Sequence, residues 1–400
     1  MEEIFLEIGI DKIGFYAPDL YMDMRELAVA RGIEPDKFTI GIGQEKMAIA
    51  PITQDTVTLA ANAALNLLDE KDKEAIDLVI FGTETGIDQS KSAAVYVHEL
   101  LGLDPVARSF EIKQACYGAT AGIQMAKGHV ALNPDSKVLV LASDIAKYGL
   151  NSPGESTQGA GAVALVISAN PKIMVLENNS AYLTSDIMDF WRPTYSDMAF
   201  VDGKFSNEQY ILFFETVWKQ YKAKSGLGFK DFEALCFHVP YTKMGLKALK
   251  PVLEEEGTTE DQKRMLENYQ KSIQYNKIVG NIYTGSLYLS LLSLLEQKEE
   301  LKEGSRIGLF SYGSGAVGEF FTGIMQPGYQ TQLNTIQNTD RLSSRRKISV
   351  EEYESIFKQE LPVDGSTIEL DIEKDSAAIC LAGMSENKRQ YINKRTYGSN

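Results

Sequence analysis

Cys116 stands in Glu111-Ile-Lys-Gln-Ala-Cys116-Tyr-Gly-Ala-Thr120, directly before the helix-compatible stretch AGIQMAKGHVAL. A thiol at a helix N-terminus faces unpaired amide hydrogens and the positive end of the macrodipole. Both lower its pKa and strengthen the thiolate as a nucleophile. The competing reading is a buried structural thiol, the only one that Cys236 and Cys380 carry, since both lie in apolar runs. Glu84 ends an apolar run in Phe81-Gly-Thr-Glu84-Thr-Gly86. Partly desolvated there, a carboxyl has a raised pKa and suits acid/base work; otherwise it is a loop carboxylate. His238 closes the apolar run ALCFHVP. At such a strand end, where ligands collect in α/β sheets, an imidazole polarises a carbonyl or shuttles a proton; otherwise it is a satisfied core histidine. Lys243, Lys247 and Lys250 follow on one helical stripe, either a solvated face or a cationic surface for phosphates. His98 and His129 fall in helical segments and are expected to be partly exposed.

These residues need elements to hold them. Strand-like runs cover residues 75–84, 137–144 and 161–168, and helix-like segments cover 89–101 and 119–131. That alternation predicts an α/β fold with a largely covered sheet. The order recurs later: FEALCFHVP echoes AIDLVIFGTE, SRIGLFSYG echoes KVLVLASD, and Gly313-Ser-Gly-Ala-Val317 echoes Gly159-Ala-Gly-Ala-Val163. We read a degenerate duplication into an N-terminal half, 1–168, and a C-terminal half, 169–400, forming one catalytic body. Glu84 and His238 then occupy matching strand ends. Aromatic-rich residues from 178 to about 230 are expected to form a helical insertion. Residues 326–400 form a C-terminal extension with a helix near 350–359 and strand-like STIELDI and AAICLAG. Its basic run (Arg341, Arg345, Arg346, Lys347) is expected to be solvated surface.

Composition narrows the function classes. The chain has 400 residues, 44% hydrophobic and 24% charged, a globular balance with enough material for a large core. Its formal charge of −15 argues against a nucleic-acid surface, and an anionic ligand needs a local basic cluster to offset that field. Three cysteines argue against a disulfide framework, and with three histidines and no ligand spacing no metal is expected. The first residues lack a secretory pattern and no run is long enough to span a bilayer, so a cytoplasmic location is expected. The Gly-rich strings at 41–44 and 156–163 match no nucleotide-binding fingerprint.

Taken in order and spacing, GTETGIDQSKS, EIKQACYGAT, YGLNSPGESTQGAGAVA, DFWRP, CFHVPYTKMG, VGNIYTGSLYLSLLSLLE and LFSYGSGAVGEFF resemble the short, bacterial type of 3-hydroxy-3-methylglutaryl-CoA synthase. The likeness runs from about residue 10 to about 321. It implies a thiolase-like, five-layered αβαβα fold, a homodimer, and the condensation of acetyl-CoA with acetoacetyl-CoA, with no cofactor besides these thioesters. Cys116 then carries the acetyl group, its amide and that of Ser314 form the oxyanion hole, Glu84 is the general acid/base, and His238 orients the acetoacetyl thioester. Asn281 and Tyr148 match active-site positions; Thr157, Ser206 and Lys247 match CoA-contacting ones, with Lys243 a second phosphate partner. Gly86 and the cysteine loop depart mildly from the family pattern, without loss of a functional group. Rival readings on the same fold are a ketoacyl synthase, whose chemistry does not need Glu84, and a polyketide β-branching synthase fed by carrier proteins. A non-catalytic acyl-CoA scaffold is opposed by the presence of all three catalytic side chains.

Overall fold

One pattern of strand pairing occurs twice along the chain. The computed structural model describes residues 6–196, 198–298 and 301–396. In the first half, β1 (Ile8–Tyr16), β2 (Ile76–Gly82), β3 (Arg108–Ile112), β4 (Lys137–Ala146) and β5 (Gly159–Ala169) lie in the order β3-β2-β4-β5-β1. In the second, β6 (Met174–Thr184), β7 (Ala234–Phe237), β8 (Arg306–Gly313) and β9 (Val317–Met325) lie in the order β7-β8-β9-β6. Matching β2 with β7, β4 with β8, β5 with β9 and β1 with β6 preserves every pairing sense. The β2–β4 and β7–β8 pairs are parallel; the remaining matched pairs are antiparallel. The two half-sheets join edge to edge where Gly9 faces Val175 and Ile10 faces Met174.

Alternation along the strands sends neighbouring side chains to different layers. Helices α1 (Thr56–Leu65) and α2 (Ala93–Leu101) cover the outer face of the first half, packing with Val79, Phe81 and Leu141. Helix α3 (Gly118–Leu132) lies on the inner face, against Ile80 and Val140. Helices α4 (Gly203–Ser225), α5 (Met244–Glu256) and α6 (Thr259–Ser272) cover the outer face of the second half with Phe237, Phe310 and Phe320. Helix α7 (Ser286–Gln297) joins α3 in the inner layer, where Ser286 to Leu295 are all buried. An all-round buried helix matches its apolar sequence, with the hydroxyls of Ser286, Ser290 and Ser293 satisfied locally. The layers are therefore αβαβα. No helix among the described residues is long and apolar enough to cross a membrane.

Several expectations are corrected. The first part of the expected helical insertion is strand β6; its polar residues belong to a half-exposed strand that pairs with β9. The helix that follows, α4, is a full member of the outer layer. The two Gly-x-Gly-Ala-Val strings occupy the same hairpin of each half in different ways: 159–163 runs inside β5, whereas 313–317 makes the β8–β9 turn. In the extension, Arg346–Ile348 pairs in parallel with Leu20–Asp23, a helix spans Val350–Phe357, and only Ile368–Glu369 of STIELDI is strand. The basic run is not uniformly solvated. Arg345 is buried and donates to the Ile278 carbonyl at 2.8 Å, while Arg341 lies 4.4 Å over the Tyr16 ring. Only Arg346 and Lys347 stand at the surface, paired with Glu352 and Glu26.

Candidate active site

Cys116 occupies the short connection between β3 and α3, two residues before the helix begins. Ala115, immediately before it, adopts φ +42°, a left-handed conformation unfavourable for a residue with a side chain. The turn is locked by Tyr117 N–H to Gln114 O at 3.0 Å and packed closely by Gly313 of the second half. A Cβ at Gly313 would lie 2.5 Å from Gln114 O and 2.6 Å from Tyr117 N. Gly82 plays the same part at the end of β2, where a Cβ would meet Ala119 N at 2.5 Å. Glycine at both positions lets three backbone segments converge on the thiol.

Glu84 follows β2, and its Oε1 accepts a hydrogen bond from Cys116 Sγ at 3.2 Å. Loss of water, and then the charge of Asp144, push the Glu84 carboxyl up to about 8. The same loss of water and the adjacent Glu84 raise the Cys116 thiol well above its ordinary value. The expectation that the helix N-terminus lowers this pKa is therefore corrected for the unacylated protein. Burial first, and then the facing Glu84, set the direction of the shift.

His238 follows β7 as Glu84 follows β2, so both halves deliver a titratable group from the C-terminal end of matching strands. Its backbone is fixed by N–H to Phe310 O at 2.8 Å and by Tyr210 OH to its carbonyl at 2.5 Å. The ring is 2% exposed, Nδ1 has no partner among the described residues, and burial pushes the pKa down to about 3. The imidazole is neutral at physiological pH. His98 and His129 lie apart on helices, half-buried, against Asp104 and Asp77.

Asn281 leads into α7 as Cys116 leads into α3. It is buried, and its Oδ1 accepts from Tyr283 N at 2.9 Å and Ser286 Oγ at 2.8 Å. Tyr148 packs edge-on against Phe190 and Tyr283, with ring centroids 5.9 and 6.1 Å away. Burial, Cys116 and Glu84 raise its phenol, which keeps it a protonated donor beside the thiol. Ser314 lies in the turn against the Cys116 loop, its carbonyl facing Gln114 Nε2 at 3.4 Å. Thr157 accepts the Asn281 N–H on its carbonyl at 3.3 Å, and Ser206 donates to Asp189 at 3.2 Å. Lys243 and Lys247 line an open surface groove of about 310 Å³ with Leu246, Lys250, Pro251 and Glu254. The Lys247 ammonium rests on Tyr241 OH at 2.8 Å. Among the described residues no group of three or more His, Cys, Asp or Glu side chains is placed to hold a metal ion.

Two buried carboxylates escape the sequence reading. Asp144, at the end of β4, accepts on Oδ1 from Thr83 Oγ1, Glu84 N and both the amide and hydroxyl of Thr85, at 2.8–3.0 Å. On Oδ2 it accepts from Thr284 N at 3.0 Å and Thr284 Oγ1 at 2.6 Å. It thus ties the Glu84 loop of one half to the Asn281–Thr284 loop of the other. Asp189, in DFWRP, takes Gly315 N at 2.9 Å and Tyr312 OH at 2.8 Å, anchoring the turn that carries Ser314. The available signal was positional: Asp144 closes an apolar strand and faces two Thr-rich loops.

Comparison with known proteins identifies the family. The family model "Hydroxymethylglutaryl-coenzyme A synthase N terminal" matches residues 5–172, and its C-terminal counterpart matches 174–269 and 258–366. The hydroxymethylglutaryl-CoA synthase of Enterococcus faecalis is 55% identical over 375 residues, covering 94% of this chain and 98% of that one. The polyketide biosynthesis 3-hydroxy-3-methylglutaryl-ACP synthase PksG of Bacillus subtilis (strain 168) is 33% identical over 371 residues, covering 88% of each. Among solved structures, an HMG-CoA synthase complexed with CoA superposes with a TM-score of 0.94 at 47% identity, covering 97% of this chain and all of that one. MvaS in complex with 3-hydroxy-3-methylglutaryl coenzyme A gives 0.87 at 31%, covering 98% of this chain and 100% of that one. With its layers, its paired halves and its converging site, the chain belongs to the hydroxymethylglutaryl-CoA synthase family, the acyl-CoA-condensing enzymes of the thiolase superfamily.

Proposed function

We propose that this chain condenses acetyl-CoA with acetoacetyl-CoA and water to give 3-hydroxy-3-methylglutaryl-CoA and CoA, serving the mevalonate route to isoprenoid precursors. The observation that carries the reading is the Cys116 thiol 3.2 Å from Glu84, a base beside the nucleophile that a ketoacyl synthase would not need. The thiol yields its proton to Glu84 as sulfur attacks the acetyl-CoA carbonyl. The amides of Cys116 and Ser314 receive the oxyanion, each such donor contributing about 2.7–4 kcal/mol. CoA leaves as the thiol with the proton from Glu84, and Cys116 keeps the acetyl group. Glu84, again a carboxylate, removes a proton from the acetyl methyl. The resulting carbanion adds to the ketone carbon of acetoacetyl-CoA, and the new alkoxide takes the proton back to become the tertiary alcohol. His238, neutral through burial, polarises the acceptor through a ring N–H. Water then cleaves the thioester and frees Cys116. Each step is acyl transfer, proton transfer, carbanion addition to a ketone or hydrolysis, and none changes an oxidation state by an outside redox agent, so the chemistry calls on no cofactor beyond the CoA thioesters.

In this reading Tyr148 and Asn281 fix the acetyl group, while Thr157, Ser206, Lys243 and Lys247 hold CoA. The lysine-lined groove supports the last assignment, because it supplies the local positive charge that an anion needs against a net −15. We also propose a cytoplasmic homodimer. Sparse, unpaired cysteines suit a reducing compartment. Strand β3 ends the sheet, and such an edge is a natural place for a second copy. The test is turnover by purified protein given both free CoA thioesters, followed as loss of acetoacetyl-CoA and release of CoA. Sustained turnover supports the reading. Condensation only with acetyl on a carrier protein transfers it to the β-branching class, and malonyl-dependent decarboxylation transfers it to the ketoacyl class.

A further inference from the structure

Behind Tyr148 runs an unbroken chain of buried hydrogen bonds that reaches the C-terminal extension. The backbone amides of Tyr148 and Gly149 donate to Gln158 Oε1 at 2.7 and 3.2 Å. Gln158 Nε2 donates to Tyr353 OH at 2.8 Å, and Tyr353 OH donates to Glu155 Oε1 at 3.2 Å. Arg31 clamps Glu155 with Nε and Nη2, both at 2.8 Å, and Glu354 with Nη1 at 2.7 Å. Gln158, Tyr353 and Glu155 are 4%, 1% and 3% exposed, so water cannot replace a lost partner. The direction of the bonds is fixed from the far end. Glu155 accepts only, so the Tyr353 hydroxyl must donate to it and accept from Gln158. That turns the amide oxygen of Gln158 toward Tyr148. The adjacent Thr157 carbonyl holds the Asn281 N–H, so the same short segment also meets the loop from the second half.

We propose that Gln158 and Tyr353 are positioning residues for the condensation. Together they lock the Tyr148 loop, so that the C-terminal extension, through the helix Val350–Phe357, sets the wall against which the acetyl group reacts. The inference rests on Tyr148 bordering the acetyl site, as proposed above. Misplacement of a reacting group by about 1 Å costs on the order of a hundredfold in rate, so loosening this loop by less is expected to cost about tenfold.

The test is Tyr353→Phe, which keeps the ring and removes both hydrogen bonds of the hydroxyl, alongside Gln158→Leu and the double variant. Amide hydrogen exchange at Tyr148 and Gly149 is expected to quicken at least tenfold, with the helix Val350–Phe357 still protected. Condensation kcat is expected to fall about tenfold with KM for acetyl-CoA within twofold, and the double variant to be no worse than the poorer single one. Unchanged exchange, unchanged kcat despite faster exchange, or losses that multiply in the double variant would each overturn the proposal. The exchange measurement needs no turnover. A parent protein that forms no acetyl-Cys116 would therefore count against the proposed reaction and leave the lock to be judged by exchange.

Discussion

The Cys116 thiol directs its proton at Glu84 Oε1, 3.2 Å away; burial and Glu84 make the thiol harder to ionise, while the thiol's hydrogen bond eases ionisation of a carboxyl that burial and Asp144 hold back. The ionisation of each therefore depends on the state of the other. In the proposed reaction the pair serves both halves of the condensation: nucleophilic attack is helped by proton transfer from sulfur to the carboxylate, and carbanion formation uses the carboxylate once it is free again after sulfur is acylated.

Replacing Glu84 by Ala is expected to slow acetylation of Cys116 without abolishing it, the thiol proton passing to water instead, while carbon–carbon bond formation drops by about 10²–10⁴-fold, the usual contribution of an acid/base group. Rapid-quench separation of acetylation from condensation checks this. Condensation surviving within tenfold would make Glu84 a structural carboxylate.

With the Glu84 carboxyl near 8, exchange of acetyl methyl hydrogens with solvent, measured without acetoacetyl-CoA, should climb with pH through about 8 and level off above it. His238 is already neutral above about 3 and adds no limb in that window. Linkage gives a companion sign. A carboxyl raised on folding costs stability as pH rises from its unfolded value, about 4.3, toward 8. Glu84→Gln should thus gain up to about 4–5 kcal/mol relative to the parent as pH rises from 4 to 8, by denaturant titration. A pH-independent difference contradicts the raised pKa.

Asp144 accepts six hydrogen bonds and bridges the two halves, so Asp144→Asn presents an NH₂ to groups that are themselves donors. A loss of about 2–4 kcal/mol is expected, along with a large drop in turnover. Because the Asp144 charge helps to raise Glu84, the pH limb of whatever activity remains should move below 8. An unmoved limb would remove Asp144 from the electrostatics of the site.

Gly313→Ala places a Cβ 2.5 Å from Gln114 O, against backbone that cannot swing aside. The nucleophile loop must shift, and acetylation of Cys116 is expected to slow by about a hundredfold or more while the circular dichroism spectrum stays native. Acetylation at the parent rate would show that the close packing of the turn on the loop is incidental.

Much of the site was legible because its signals are local. Glu84 and His238 close apolar runs, Cys116 precedes a helix, and a strand end or helix start can be read within ten residues. What escaped depends on contacts far apart in the chain. Asp144 becomes a hub only when Thr83–Thr85 and Thr284 fold onto it, and Tyr353 meets Gln158 across 195 residues. Arg345 reads as surface charge until Ile278 and Tyr21 surround it. Strand β6 was missed because NNSAYLT is polar; half of that strand faces outward, so its apolar alternation is weak. The direction of the Cys116 shift is not legible locally, because a helix start is visible in sequence, whereas the facing Glu84 and the loss of water are not.

The most direct measurement is the mass of the intact protein with acetyl-CoA, before and after acetoacetyl-CoA is added, for the parent and for Cys116→Ala. The account predicts a single acetyl unit mapping to Cys116, discharged as 3-hydroxy-3-methylglutaryl-CoA on addition of the second substrate, and no adduct in the variant. An acetyl group that persists in Cys116→Ala, or one on Cys116 that acetoacetyl-CoA does not discharge, would contradict it.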